Sequence, residues 1–165
     1  MPGLLQTEDY ARAVLRGVQA SASDDEIERQ VAARLQRQDI LSRGNPPHLW
    51  AVIDEGVLHR TIGDAKTMLD QLWHLTRMSD QSKVSLQVIP FTAAARTGLL
   101  GHFVIASLSE AASVAYLETA ADGQIVETPS VIEQVTLTWE ALRSEALPCG
   151  ASKELIIKIA EARWT

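Results

Sequence analysis

The sequence predicts an α+β fold in which two helices precede, and two helices follow, a mixed sheet of about four strands. Three observations lead to this fold class. Segments with apolar residues every three or four positions lie at both ends of the chain. Alternating apolar and polar residues dominate the middle, and one helical segment separates the first two strands. The middle elements therefore follow the order strand–helix–strand–strand–strand, within a single domain over residues 1–165.

Residues 1–44 predict a helical pair. Thr7, followed by two acidic residues, is typical of a helix start, because its hydroxyl can cap the free N–H groups of the first turn. Ser23 and Glu26 have the spacing of a capping box, and the helix that they begin is expected to end near Leu41. The apolar positions of this second helix recur every four residues, at Ile27, Val31 and Leu35.

Residues 48–120 predict the sheet core. Short segments of apolar or alternating character predict four strands, over residues 49–53, 84–89, 102–108 and 113–119. A helix marked by Met68, Leu72 and Leu75 joins the first two strands, as a parallel crossover requires. The last two strands are separated by a short connection that suits an antiparallel hairpin.

Residues 129–165 predict two C-terminal helices. The first has one apolar face, made of Val131, Val135, Trp139, Leu142 and Ala146. Pro148 and Gly150 interrupt the helical pattern, because neither residue favours a helix interior. Ser152 is then expected to cap the final helix.

The composition limits the class of protein. The chain carries 15 basic and 21 acidic residues, a net charge of −6, whereas a domain that binds duplex DNA needs clustered cations. No apolar run approaches the ~20 residues of a membrane-spanning helix, and the N-terminus lacks the pattern of a signal peptide. The single cysteine, Cys149, excludes an internal disulfide. We therefore expect a soluble cytoplasmic domain that binds neither DNA nor membranes by itself.

The sequence has no motif typical of catalysis or metal binding. No two of the four histidines have the short spacing of a helical metal pair: they are His48, His59, His74 and His102. A glycine-rich phosphate loop and a nucleophile elbow are also missing. We therefore expect no enzyme activity, no cofactor and no metal.

Polar side chains inside apolar segments suggest a ligand site. Tyr116 and Glu118 are two apart on a predicted strand, so they face the same side, where burying them unpaired would be costly. Glu55 and Arg60 follow the first strand, at the edge where a crossover opens a crevice. We expect one cavity at an edge of the sheet, with two phenylalanines as apolar walls, lined by Glu55, Arg60, Gln87, Phe91, Phe103, Tyr116 and Glu118.

Two alternatives stay open for these residues. In the first, Arg60 pairs with Glu55 or Glu118 in a structural network that no ligand enters. In the second, Tyr116 and Glu118 lie on an exposed sheet face, and Glu55 does no more than begin the next helix.

The second helix carries arginines as well as its apolar stripe. We predict that it forms a surface for self-association or for docking another domain, through Ile27, Val31, Arg34, Leu35 and Arg37. A solvated helix face is the alternative. Because two-fold dimers are the commonest assemblies of soluble proteins, a homodimer is expected.

Several segments, in their order along the chain, resemble one family. They are Pro2–Arg12, Ile53–Arg60, Met68–Leu72, Leu86–Phe91, Gly101–Phe103 and Val114–Thr119. Together they span nearly the whole chain. They are similar to the C-terminal domain of unknown function found in actinobacterial, Streptomyces-type helix-turn-helix regulators of the phage-repressor type.

The resemblance implies a regulatory domain that senses a small-molecule effector or a partner. It implies that DNA is bound only by a helix-turn-helix domain that this chain does not contain. It further implies an antitoxin-like regulator, encoded beside a small partner protein. Two departures fall where a pocket rim is expected: Ala93–Arg96 stands in place of a Gly-Ala-His-like stretch, and His59 in place of an arginine.

Two other functions remain as alternatives. A pure protein-interaction or dimerisation module would have no small-molecule pocket. An unrecognised enzyme would use Glu55 or Glu118 as a base, although the sequence offers no nucleophile or metal beside them.

Overall fold

The computed structural model describes residues 1–93, 101–108, 111–118 and 123–165, and it confirms the α+β fold class with helices at both ends. The helices are α1 (Glu8–Val18), α2 (Asp24–Gln38), α3 (Gly56–His59), α4 (Ala65–Met78), α5 (Pro129–Glu145) and α6 (Cys149–Ile159). The strands are β1 (Leu49–Asp54), β2 (Val84–Ile89), β3 (Phe103–Leu108), β4 (Ala111–Glu118) and β5 (Gly123–Val126). Arg96 and Thr119, named above, lie outside the described residues.

The strands form two small sheets, where the sequence predicted one mixed sheet. β1 and β2 form a parallel pair, whereas β3, β4 and β5 form an antiparallel sheet in that order. The sequence did not predict β5, because four residues are too few to show an alternating pattern. The chain divides into two compact units, Met1–Val88 with Leu147–Thr165 and Ile89–Ala146.

The first unit has a continuous hydrophobic core on one side of its parallel strands. Because successive side chains of a strand point to opposite faces, Ala51 and Ile53 of β1 both lie on the buried side. α4 contributes a buried stripe of residues three and four positions apart. The central side chains are Ala51, Ile53, Met68, Leu72, Leu75, Leu86, Val88 and Ile156. Burying each of the larger ones stabilises the fold by about 1.5–3 kcal/mol.

The capping signals predicted for the N-terminal helices are confirmed. The hydroxyl of Thr7 accepts from the backbone N–H of Tyr10. Ser23 and Glu26 form the complete capping box, since Ser23 Oγ accepts from the Glu26 N–H and Glu26 Oε2 accepts from the Ser23 N–H at 2.8 Å. The last turn tightens into a 3₁₀ helix over Asp39–Ser42, close to the predicted end.

Side chains hold α1 and α2 together. Ile27 and Val31 are buried against Leu15 of α1. At the rim of this contact, Arg12 Nε donates to Glu28 Oε1 at 2.7 Å, and Nη2 donates to Glu28 Oε2 at 3.1 Å. This fork-shaped pair links the exposed rims of the two helices.

A buried glutamine anchors the N-terminal segment on α4. Gln71 is fully buried, and its Nε2 donates to the carbonyl of Leu5 at 2.7 Å. Its Oε1 accepts from the backbone N–H of Thr7, also at 2.7 Å. Gln38 of α2 donates to the carbonyls of Gly3 and Gln6. The segment before α1 is thus held through its own backbone.

The C-terminal helix begins earlier than predicted. α6 starts at Cys149 with Pro148 before it, so Ser152 lies inside the helix and does not cap it. Its hydroxyl instead accepts from the backbone N–H of Val88 at 2.9 Å and donates to the carbonyl of Leu147. After α6 the chain ends in a π-helical turn, where Trp164 Nε1 donates to the carbonyl of Leu58 at 3.0 Å.

The second unit is an antiparallel sheet with one helix packed on it. β3 and β4 form the predicted hairpin, paired from Phe103–Leu117 to Leu108–Ala111 with an irregularity between Ala106 and Leu108. α5 contacts β3 and β4, and Ala115 of β4 is fully buried. The side of α5 that carries Val131, Val135, Trp139 and Leu142 is half-buried, as its apolar pattern predicted.

Candidate functional site

The structure divides the seven predicted pocket residues between the two units. Glu55, Arg60 and Gln87 belong to the first unit. The other four belong to the second, namely Phe91, Phe103, Tyr116 and Glu118. The two groups are therefore described separately.

Glu55 begins the short helix α3. The neighbouring Asp54 accepts the Gly56 N–H at its Oδ1, 2.7 Å away, which stabilises the turn out of β1. The Glu55 side chain is only 14% exposed, and its Oε1 lies 3.4 Å from His59 Nε2, one helical turn later. The carboxylate thus contacts an imidazole within the same short helical segment.

Arg60 and Gln87 take part in the framework of the first unit. The backbone N–H of Arg60 closes α3 by donating to the carbonyl of Gly56, and its side chain is exposed. Gln87 Nε2 donates to the carbonyl of Leu147 at 2.9 Å. This bond ties β2 to the segment that leads into α6, so Gln87 has a structural partner.

Tyr116 and Glu118 share one face of the antiparallel sheet, as predicted. Tyr116 pairs with Val104 of β3 on one side and with Ile125 of β5 on the other. Cross-strand partners project to the same face, so these three side chains form a row across all three strands. They are 54% (Val104), 38% (Tyr116) and 72% (Ile125) exposed. We call Val104, Tyr116 and Ile125 the apolar row.

Polar groups lie beside the apolar row. Glu118 pairs with Gly123 in the sheet, and its carboxylate contacts His102 Nε2. The ring of Tyr116 lies against Gly123, since a methyl group at position 123 would be 1.9 Å from the Tyr116 Oη. This face therefore offers a phenol and a carboxylate–imidazole pair next to exposed apolar surface.

Phe103 does not lie on this face. It pairs with Leu117, the residue between Tyr116 and Glu118, and successive residues of a strand project to opposite sides. Phe103 is therefore not a wall beside Tyr116, which corrects the predicted pocket lining in the second unit. Phe91 is 65% exposed, beyond the end of β2.

The predicted partner surface of α2 is used in part inside the chain. Ile27 and Val31 are core residues of the α1–α2 contact, and Leu35 is half-buried beside them. Arg34 Nη1 donates to Gln6 Oε1 at 2.8 Å, whereas Arg37 is exposed. The four-residue apolar repeat thus marked an intramolecular contact, because it is the stripe by which a helix packs on its neighbour.

Sequence reasoning missed two residues of the apolar row. Val104 and Ile125 are apolar, so their residue types do not mark them as site residues, although exposed aliphatic and aromatic side chains in one patch are typical of interaction surfaces. The pairing of Val104 with Tyr116 follows from the β3–β4 hairpin. Ile125 could have been recognised as a site residue only if the sequence had predicted β5.

The first unit contains a partly buried histidine. His74 of α4 is half-buried, and its Nε2 is a buried atom without a hydrogen-bond partner within the described residues. Desolvation, with a smaller effect of the neighbouring Arg77, lowers the pKa of the His74 imidazole below its ordinary value. The neutral form is therefore favoured in the folded protein.

Two further properties concern the described part of the chain. None of its helices combines the length and the apolar character needed to cross a membrane. Its histidines, cysteine and carboxylates form no cluster of three or more that could hold a metal ion.

Comparison with known proteins gives a family and no named relative. Neither a curated protein nor a solved structure matches the chain. A family model does match residues 1–158, nearly the whole sequence, and its description is Domain of unknown function (DUF5753). The chain therefore belongs to the DUF5753 family.

Proposed function

We propose that this chain is the partner- or ligand-sensing domain of a bacterial helix-turn-helix transcription regulator and that it is not an enzyme. The observation that carries the proposal is the open face of the antiparallel sheet, with Tyr116 at the centre of the apolar row. The similarity of the sequence to regulator C-terminal domains supports the regulatory context. The proposal places the protein in the cytoplasm, where its DNA lies.

The arrangement of the sheet supports a binding role. α5 packs on β3 and β4, and Ala115 between them is fully buried, so one side of this sheet is already packed. The opposite side carries large apolar groups that gain free energy when a partner covers them, at about 25 cal/mol for each Å² removed from water. A sensing domain needs such a gain, because a ligand shifts the equilibrium between two conformations of a protein only by the difference in its affinity for them.

A pure protein-interaction module is the second candidate. The apolar row lies along a strand-paired face, whereas sites for small molecules are concave and surround most of the ligand. This observation favours a protein partner over a small-molecule effector. The two functions differ in whether binding changes the affinity of an attached domain for DNA.

Native mass spectrometry of freshly purified protein tests the proposal. We expect a fraction of the chain to carry the extra mass of one partner or effector. Adding a DNA fragment that carries the operator of a helix-turn-helix regulator should leave that mass unchanged, because we expect the acidic chain not to bind DNA by itself. A chain that carries no partner or effector, but converts a small molecule in a turnover assay, would contradict a sensing role.

A further inference from the structure

The negative charge of the chain is concentrated in the second unit. Residues 89–146 contain seven acidic and two basic side chains, so this unit carries −5 of the total charge of −6. The first unit is nearly balanced, with 14 acidic and 13 basic residues. A field of one sign attracts oppositely charged partners and repels like-charged ones. The second unit therefore favours cationic partners.

Exposed apolar surface is concentrated in the same unit. Seven large hydrophobic side chains of the described residues are exposed, and five of them belong to the smaller unit. These five are Phe91, Val104, Tyr116, Ile125 and Leu137. Three of the five form the apolar row, which makes a contiguous patch and not a scatter of single residues.

We propose that the apolar row binds a basic segment of a partner protein, whose apolar residues cover the row while its cations face the surrounding carboxylates. This inference rests on the proposed function, because it names the class of partner that is sensed. Glu118 lies on the same face as the row, and the exposed Glu127 follows β5 directly. Glu118, which also contacts His102, is placed to meet a cation beside the row, and Glu127 adds an exposed carboxylate one residue beyond β5.

Charge complementarity decides between the occupants of this face. A second copy would bring the face that carries Glu118 against itself in a two-fold contact, and each of the two units has a net charge of −5. Like charges across an interface oppose association. Nucleic acid is repelled for the same reason. A basic protein segment satisfies both the apolar row and the acidic surroundings.

Amide NMR spectra of the full isotope-labelled chain test the inference with a defined probe. The probe is a short synthetic peptide that alternates lysine with valine, and the control peptide alternates glutamate with valine. We expect the lysine peptide to shift the amide signals of Val104, Tyr116 and Ile125, and the glutamate peptide to leave them in place. Raising the salt concentration from about 50 mM to about 500 mM should weaken binding roughly tenfold, because salt screens exposed charges.

Two matched variants separate the apolar row from general charge attraction. Ile125→Lys changes the row, whereas Leu137→Lys changes an equally exposed position on α5, and both add one positive charge to the same unit. Both side chains project mostly into solvent, so the fold should persist. Ile125→Lys should weaken peptide binding about tenfold and Leu137→Lys about twofold or less. Val104→Lys provides a second variant of the row.

Three results would overturn the inference. The first is an equal loss of binding in Ile125→Lys and Leu137→Lys. The second is equal binding of the lysine and glutamate peptides. The third is a dimer, seen by sedimentation, that Ile125→Lys dissociates, since the occupant would then be a second copy. The proposed function is tested separately, by asking whether the complete regulator that it requires recovers DNA. If the peptide binds but no DNA is recovered, the docking surface stands and the role as a transcription regulator is contradicted.

Discussion

The phenol of Tyr116 lies against Gly123, so closely that a Cβ atom at position 123 would be 1.9 Å from the Tyr116 Oη. The two residues are diagonal neighbours on β4 and β5, because Gly123 pairs with Glu118 and Tyr116 pairs with Ile125. Because the residue on the edge strand has no side chain, the tyrosine ring can occupy this position on the open face. The position of the Tyr116 ring within the apolar row depends on this contact.

Gly123→Ala should displace the Tyr116 ring and destabilise the protein by about 1 kcal/mol, the lower end of overpacking costs, because the half-exposed ring can swing into solvent. Chemical denaturation measures the change. In a Tyr116→Ala background the same substitution should cost almost nothing, since the clash is gone. Gly17→Ala is the control: this helical glycine has open space around it, so alanine should stabilise the protein. Equal costs of Gly123→Ala in both backgrounds would show that the ring contact is irrelevant.

Gln71→Leu should destabilise the protein by about 2–4 kcal/mol. The leucine has nearly the same volume, but it leaves the buried carbonyl of Leu5 and the N–H of Thr7 without their partner. Urea denaturation measures the loss, and hydrogen exchange should show faster exchange of the Thr7 amide. Gln36→Leu on the exposed side of α2 is the matched control. A Gln71→Leu protein as stable as the control would contradict the anchoring role.

Ile27→Ala should cost about 2–4 kcal/mol, because Ile27 is fully buried in the α1–α2 contact and its removal leaves a cavity. Val18→Ala, an exposed apolar residue of α1, should change stability by no more than about 0.5 kcal/mol. Thermal denaturation of the two variants checks the difference. If Ile27→Ala keeps full stability but loses self-association, the side chain belongs to an interface between copies.

His74 should make the protein sensitive to mild acid. Its pKa is lowered in the folded protein by desolvation and is about 6.5 in the unfolded chain, so the unfolded chain binds more protons between these two values. His74 therefore leaves the free energy of unfolding unchanged above about pH 6.5. As the pH drops toward the lowered pKa, His74 reduces this free energy by at most about 1.4 kcal/mol per pH unit. Unfolding free energies from pH 8 to pH 5 should fall less steeply for His74→Leu than for the wild type. Parallel pH profiles would contradict this.

Local signals in the sequence predicted most of the elements. The capping box of Ser23 and Glu26 and the stripe of Met68, Leu72 and Leu75 are confirmed, because both depend on residues only three or four apart. The β3–β4 hairpin is confirmed for the same reason. Its two strands are joined by a short connection that leaves them little choice of partner.

Contacts between distant residues could not be predicted. Period-two alternation shows which side of a strand is apolar but not which strand it pairs with, so the division into two sheets was missed. Gln71 looks like a surface residue in sequence, yet its amide serves backbone groups more than sixty positions away. Ser152 looked like a helix cap, but its hydroxyl binds Val88. The candidate site was predicted only where two residues share one strand, Tyr116 and Glu118.

Immunoprecipitation of cross-linked DNA tests the central claim most directly. Two tagged proteins are compared: the regulator that the proposed function requires, with a helix-turn-helix domain joined to these residues and here called the full-length product, and residues 1–165 expressed alone. The account predicts that the full-length product recovers a few discrete DNA sites and that residues 1–165 recover none, because their charge of −6 opposes contact with phosphates. Recovery of the same sites by residues 1–165 alone, or of no DNA by the full-length product, would contradict it.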